Sequence, residues 1–261
     1  MTQTQVSQET RRLPGRWVLL WGIIYKRFLL LIRYPVNLIA QLFSIYIFFA
    51  VVFFGGKAAV SQIGGGAGAL ASTFDGLIVG WFLWTMSLTA YFGLAENIMN
   101  ESQWGTLEQL YMSPYGFNTV MAGQVLANIM VSLMWGGVIL FLMLITTGRN
   151  LSVNLLTIIP ISILTIFSVI GIGFVFAGLA LLYKRIENVA QIMQFALVGL
   201  IAAPVTGYSP LRYLPLVQGS AMLQTAMRKG VQLWEFSLFD VALLVTTAIV
   251  YAGLGYLVFI L

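Results

Sequence analysis

The stretch Leu155-Leu-Thr-Ile-Ile-Pro-Ile-Ser-Ile-Leu-Thr-Ile-Phe-Ser-Val-Ile-Gly-Ile-Gly-Phe-Val-Phe-Ala-Gly-Leu-Ala-Leu-Leu182 contains no charged side chain. Wound as an α-helix at about 1.5 Å per residue, it exceeds the roughly 30 Å of a bilayer's hydrocarbon core. No water is present at that depth, so every backbone amide must be satisfied within the chain, by a helix or by a closed barrel. Barrel strands are about ten residues long and alternate in polarity. This run does neither, and it predicts a membrane-spanning helix.

Five similar runs surround it, giving predicted spans at Val36–Phe54, Phe74–Ala95, Val120–Thr146, Leu155–Leu182, Val189–Gly207 and Leu238–Leu261. The composition agrees: 60% of the 261 residues are hydrophobic, 8% are charged and the mean hydropathy is +0.94. A soluble domain carries about a quarter of charged residues. The expected fold is therefore an all-α membrane protein with one domain, residues 1–35 forming a tail and surface helix and residues 36–261 a six-span bundle. The expected breaks are Gly55-Gly56-Lys57 through Gly64-Gly65-Gly66, Gly148-Arg149-Asn150, Tyr183-Lys184-Arg185 and the Pro210 to Glu235 segment.

An even number of spans puts both ends on one side. Lys and Arg then divide into Arg11, Arg12, Arg16, Lys26, Arg27, Arg33, Lys184 and Arg185 on that side, and Lys57, Arg149, Arg212, Arg228 and Lys229 on the other. The positive-inside bias places both termini in the cytoplasm, for a multi-pass protein of the cytoplasmic membrane. The N-terminus does not read as a cleaved signal peptide, because the first long apolar run begins too far in. From Arg16 a helix gathers Arg16, Lys26, Arg27 and Arg33 on about a third of its circumference, away from Trp17, Trp21, Ile24 and Phe28. It is expected to lie in the headgroup layer and to end near Tyr34-Pro35.

The chain has no cysteine and no histidine. Thiol chemistry, an imidazole base and imidazole or thiolate metal ligation are thereby excluded. The acidic residues form no pair whose spacing demands a shared site, so no enzyme activity and no metal site are expected. Span centres hold only neutral polar residues, Gln41, Ser44, Thr85, Ser87, Asn128, Ser132, Gln191 and Gln194, which argues against an ion-driven relay. No phosphate-cradling loop exists either. Gly55-Gly56-Lys57-Ala58 lacks the glycine five positions before Gly56 and the magnesium-binding hydroxyl, and the Gly64–Gly68 cluster misses the dinucleotide spacing.

Between spans two and three lies a polar island, Glu101-Ser-Gln-Trp-Gly-Thr-Leu-Glu-Gln-Leu-Tyr-Met-Ser-Pro114. Leu107, Leu110 and Tyr111 share a side at helical spacing and Pro114 ends the pattern, which predicts a short helix across the cytoplasmic mouth. Trp104 suits the headgroup boundary. The loop carries Glu96, Glu101 and Glu108 without a single Lys or Arg. Such a surface fits docking to another protein, and a plain connecting loop is the simpler alternative.

The island resembles the E-x-x-x-GTLE-x-L-x-x-SP pattern of the membrane subunits of type-2 ABC exporters, which move drugs, lipids and polysaccharides. The resemblance extends to the amphipathic N-terminal helix, the six spans and the Pro-broken segment before the last one; this chain has Gln103-Trp104 where the family often carries a charge. It implies a permease that pairs with a second permease, identical or not, and with two cytosolic ATPase subunits that bind ATP and Mg. It assigns Glu101, Gly105, Thr106, Leu107, Glu108 and Pro114 to coupling. Gly105 would permit a close approach, Leu107 and Leu110 would pack, and Glu101 and Glu108 would meet donors on the ATPase. Membrane lipids are the remaining expected partner, and nucleic acid is not one.

In that family spans two and five flank the transport path. Here Gly76 and Gly80, and Gly199, Ala203 and Gly207, have the spacing for close helix approach. Packing within one subunit is the equal alternative. Tyr208 to Glu235 reads as a re-entrant or surface-lying helix on the outer side. Phe82, Met86, Phe195 and Val198 are the expected path residues. The cargo class is hydrophobic or amphipathic, a drug-like molecule or a lipid, because no fixed charge is expected in the path. The alternatives are a lipid-linked polysaccharide, or a non-ABC secondary transporter or accessory membrane subunit.

Overall fold

The computed structural model describes residues 15–63, 67–183, 186–203 and 210–261. All regular structure among them is helical: α1 (Arg16–Arg33), α2 (Pro35–Ile63), α3 (Ala67–Trp104), α4 (Leu107–Tyr111), α5 (Phe117–Thr147), α6 (Leu155–Tyr183), α7 (Glu187–Ile201), α8 (Val217–Lys229) and α9 (Leu238–Ile260). Short 3-10 turns occupy Pro210–Tyr213 and Leu233–Glu235. Arg11, Arg12, the Gly64–Gly66 cluster, Lys184, Arg185, Gly207 and Tyr208 lie outside the described residues.

Five helices, α2, α3, α5, α6 and α9, are long and apolar enough to cross a membrane. They coincide with five of the six predicted spans. α7 has 15 residues and rises only about 22 Å, short of the roughly 30 Å hydrocarbon core. The chain nonetheless passes from one end of the bundle to the other between α6 and α9. Tyr91, far along α3, donates to the Ala190 carbonyl near the start of α7 at 2.8 Å, whereas Ile201 at the end of α7 lies against Gly80. Phe259 near the end of α9 stacks with Phe117 at the start of α5, so α1, α4 and the last turn of α9 share one end.

Helix ends follow their chemistry. α5 stops at Gly148, which takes φ +61° and returns its N–H to the Leu144 carbonyl at 3.1 Å. α6 opens where the Asn154 carboxamide oxygen accepts the Leu156 N–H at 3.1 Å. The expected break at Gly55-Gly56-Lys57 is overturned, because α2 runs through it to Ile63. Glycine costs a helix only about 1 kcal/mol relative to alanine, which does not stop a run of apolar neighbours.

α6 forms the hub, packing on α9, α3 and α8. On one stripe Gly171, Phe174 and Gly178 meet α9, three and four residues apart. A side chain at Gly171 would land on the Tyr251 carbonyl, and one at Gly255 on the Gly171 backbone. The two helices therefore touch backbone to backbone.

α8 lies beside α6 inside the bundle. Its Met227 carbonyl accepts from the Ser152 N–H at 2.9 Å, and its Gly219 sits against Thr165, about 15 Å further along α6. Non-helical backbone at that depth needs partners, and side chains supply them. Ser168 Oγ accepts the Leu216 N–H at 3.2 Å, and Thr157 Oγ1 accepts the Leu233 N–H at 3.2 Å. Asp240 at the start of α9 accepts from Arg212 at 3.3 Å and Gln218 at 3.0 Å.

The α6–α9 seam predicts that Gly171→Ala destabilises the protein by about 1–3 kcal/mol through overpacking against rigid backbone. Gly253→Ala on the same α9, where the new methyl meets nothing within 4 Å, is expected to leave thermal unfolding in detergent unchanged.

Candidate functional site

Two features stand out at the end of the bundle shared by α1 and α4: an elbow between α3 and α5, and a cavity beneath it. The elbow is set by Gly105. It takes φ +70° directly after α3, and the following Thr106 N–H returns to the Glu101 carbonyl at 3.0 Å, the six-to-one bond of a Schellman cap. The chain thus turns sharply into α4. The tight approach expected of Gly105 toward a partner is, within this chain, a tight turn; a methyl there meets nothing within 4 Å but would sit on left-handed backbone.

The same turn separates two carboxylates expected to act alike. Glu101 accepts from the Thr106 hydroxyl and lies 4.0 Å from Lys26 of α1, with 16% of its side chain exposed. Glu108 is exposed on α4. Leu107 and Leu110 are half-buried, and Tyr111 stacks on Phe117 at 4.3 Å, fixing α4 to the start of α5. Pro114 is exposed and follows the last turn, where Met112 N–H reaches the Glu108 carbonyl at 2.9 Å.

The uniformly acidic loop finds its cations on α1. Lys26 faces Glu101, and Arg27 lies within the electrostatic reach of Glu96. Arg27 departs from the expected polar face with Arg16, Lys26 and Arg33. Leu20, Ile23 and Arg27 follow one stripe, with Leu20 and Ile23 on Gly123 of α5 and Arg27 beside Gly93 of α3. One guanidinium nitrogen donates to Asn97 at 2.7 Å. Burial pulls the Arg27 pKa below its ordinary value, and the Glu96 carboxylate opposes that shift. A guanidinium stays charged throughout.

The cavity has a volume of about 1080 Å³ and lies among α1, α2, α3, α5 and α7. Its polar lining is Gln41, Ser44, Thr85, Thr89, Gln191 and Gln194, and its aromatic lining includes Phe48, Trp84, Tyr91, Phe92 and Trp135. Arg27, Tyr34, Glu96 and Trp104 border it near the elbow. Five of the mid-span polar residues singled out in the sequence, Gln41, Ser44, Thr85, Gln191 and Gln194 from three helices, thus converge on one space. Thr85 and Thr89 also bond back to the Trp81 and Thr85 carbonyls at 2.9 and 3.0 Å, which satisfies their hydroxyls locally.

The four expected path residues do not come together. Phe82 and Met86 are buried against Gly136 of α5, on the side of α3 turned into the core. Phe195 and Val198 are exposed on α7 and border no part of this cavity. Rotation of a span about its axis is invisible to hydropathy when the helix is apolar all round, which is why the cavity-lining Trp84 and Leu88 of α3 were not among the expected path residues. Of the small residues, Gly80 lies against Ile201, which a methyl added there would meet at 3.4 Å, whereas Gly199 faces open space. Arg27 puts one fixed charge on the wall of this cavity.

No protein-family model, no curated protein and no solved structure matches this chain.

The elbow geometry predicts that Gly105→Ala costs about 1–2 kcal/mol, the penalty for left-handed backbone in a residue with a Cβ. Gly105→Asn is expected to cost less, since asparagine tolerates that conformation, and thermal unfolding of the two variants gives the comparison.

Proposed function

We propose that this chain is the permease subunit of an ATP-driven exporter of the type-2 ABC kind, moving a hydrophobic or amphipathic molecule outward across the cytoplasmic membrane. In this reading it binds no nucleotide itself. Two cytosolic ATPases hold ATP and Mg, and a second permease chain, identical or different, completes the path.

The observation that carries the reading is the mechanical continuity between elbow and cavity. α3 is a single helix of 38 residues, about 57 Å long. It borders the cavity with Trp84, Thr85, Leu88 and Thr89 and ends in the Gly105 turn that sets α4. Movement imposed on α4 therefore reaches the cavity wall through one unbroken rod. The resemblance of Glu101 to Pro114 to the coupling segment of that family supplies the partner. Glu108 is the carboxylate offered outward, while Glu101, Thr106 and Gly105 hold the elbow's shape and Leu107 packs it.

The proposal counts α7 as the fifth of six crossings, since the chain changes ends between α6 and α9. It takes α8 as a re-entrant helix on the outer side. The exposed apolar stripes of α2 (Val36, Ile39, Phe43, Ile47) and α7 (Ile192, Phe195, Val198) then serve the second permease or the surrounding lipid. Transport by alternating access follows: ATP binding closes the ATPases, α4 shifts, and α3 and α7 change the cavity's access from one side to the other.

The test is copurification. Expressed with its neighbouring genes, the chain is expected to recover an ATPase, and recovery of none would refute the reading. Glu108→Lys is expected to lose that association with the helical content intact, whereas Glu101→Gln keeps it. A cysteine placed at Gln109 should react with an impermeant maleimide only after the cells are opened; labelling from outside overturns the topology.

A further inference from the structure

Gly93 of α3 leaves a notch in the cavity wall. A Cβ built there would lie 3.3 Å from Asn128 Oδ1 and 3.5 Å from an Arg27 guanidinium nitrogen, so two hydrogen-bonding side chains border the space that Gly93 vacates. Arg27 gives one nitrogen to Asn97 and keeps its Nε buried and unpartnered, while Asn128 turns its Oδ1 to Gly93 and leaves its buried Nδ2 unpartnered. Asn128 is only 2% exposed. A buried donor left unpaired costs about 1–3 kcal/mol, and a charged one more, so the site is built for an acceptor that the chain does not itself supply. An anionic oxygen is the strongest such acceptor.

One helical turn beyond Gly93, about 5 Å along the axis, stands Glu96, exposed at the same cavity. It forms no ion pair with Arg27 within 4.0 Å among the described residues, so the two charges border the cavity side by side, each open to a partner. Tyr34 and Trp104 add ring faces at this mouth, a setting that attracts an ammonium group. A two-carbon linker spaces a phosphate and an ammonium by a similar distance. Towards the bundle centre the lining changes to Phe48, Trp84 and Trp135. Trp84 lies about 18 Å along α3 from Glu96, a length suited to an acyl or alkyl chain.

We propose that the cavity reads the headgroup of a zwitterionic amphiphile. The anionic group rests on the Arg27 guanidinium at the cavity wall beside Gly93, the ammonium sits between Glu96 and the mouth aromatics, and the tail runs inward along the aromatic wall. This rests on the cavity being the cargo site, and it narrows the cargo from amphipathic molecules at large to those pairing a phosphate-like anion with an amine.

The test exploits the absence of native cysteine. Ser44→Cys, on the cavity wall, is labelled with an environment-sensitive fluorophore in maltoside micelles and titrated with four single-chain probes of equal tail length: lysophosphatidylcholine, lysophosphatidylglycerol, monoacylglycerol and alkyltrimethylammonium. Lysophosphatidylcholine is expected to bind tightest. Arg27→Gln should weaken both phosphate-bearing probes at least about tenfold, the loss of one hydrogen bond to a charged group, and leave the other two unchanged. Glu96→Gln should weaken lysophosphatidylcholine and alkyltrimethylammonium but not lysophosphatidylglycerol. Gly93→Ala keeps both charges but sets a methyl 3.5 Å from the Arg27 guanidinium, crowding its approach, and should reproduce the Arg27→Gln pattern, which keeps the test alive if Arg27→Gln misfolds. Equal affinity for all four probes, or an equal loss of all four in Arg27→Gln and Gly93→Ala, overturns the proposal. So does competition by free phosphocholine at the concentration where the lysolipid competes, because the tail would then contribute nothing. Binding is read without any ATPase. Failure to recover an ATPase with this order intact refutes the exporter reading alone, and loss of the order with an ATPase recovered refutes the headgroup site alone.

Discussion

The backbone contact between α6 and α9 is the constraint on which the rest of the bundle depends. With lipid tails as apolar as leucine, helices gain little from hiding side chains from one another, and close van der Waals contact must supply the attraction. Gly171 and Gly255 permit it by having no Cβ to interpose. Once α9 is held there, Asp240 at its start is placed to receive Arg212 and Gln218, and Phe259 at its end to stack on Phe117. α8 depends on the other face of α6, where Thr165 accepts Gly219 and Ser168 satisfies the Leu216 amide. The helix read from the sequence before α9 is thus present as α8, and these contacts fix where it lies.

Much of this was legible in the chain, and the reasons differ by element. Uninterrupted apolarity located five helices long enough to cross, because burial in hydrocarbon leaves the backbone no alternative to helix. α5, α6 and α9 are bounded to within about three residues, while α2 and α3 run seven to nine residues beyond the expected spans. Gly148 marked the end of α5 through local chemistry that no distant contact alters. The α4 helix was equally visible from the spacing of Leu107, Leu110 and Tyr111. What hydropathy could not express was rotation. α3 is apolar on most sides, so nothing in its pattern says that Phe82 and Met86 turn to Gly136 while Trp84 and Thr85 turn to the cavity.

Arg27 illustrates a second kind of illegibility. Helical periodicity set it beside Lys26 and Arg33 on a solvated face, yet Lys26 is 70% exposed and Arg27 is drawn between α3 and α5. A neighbouring glycine made room for it, and an acidic residue on another helix offset part of its desolvation. Pairings across elements of this kind also explain why the Glu96–Glu108 loop looked so one-sided in charge. Lys26 of α1 faces Glu101, and Arg27 of α1 lies within the electrostatic reach of Glu96.

α2 is attached to the bundle unevenly. Phe49 and Phe53 are its only buried side chains among the described residues, and they meet Trp81 and Phe74 of α3 edge-on or tilted at 5.6 and 5.1 Å. Its first half, from Val36 to Ile47, has no buried residue and forms the flank of the cavity. The helix is thus a cantilever, clamped at an aromatic joint and more lightly packed, through Leu42, Ile45 and Tyr46, along the arm that borders the opening. Swinging that arm parts fewer buried contacts than moving the joint, so the cavity's width answers most readily to what presses on the arm from outside.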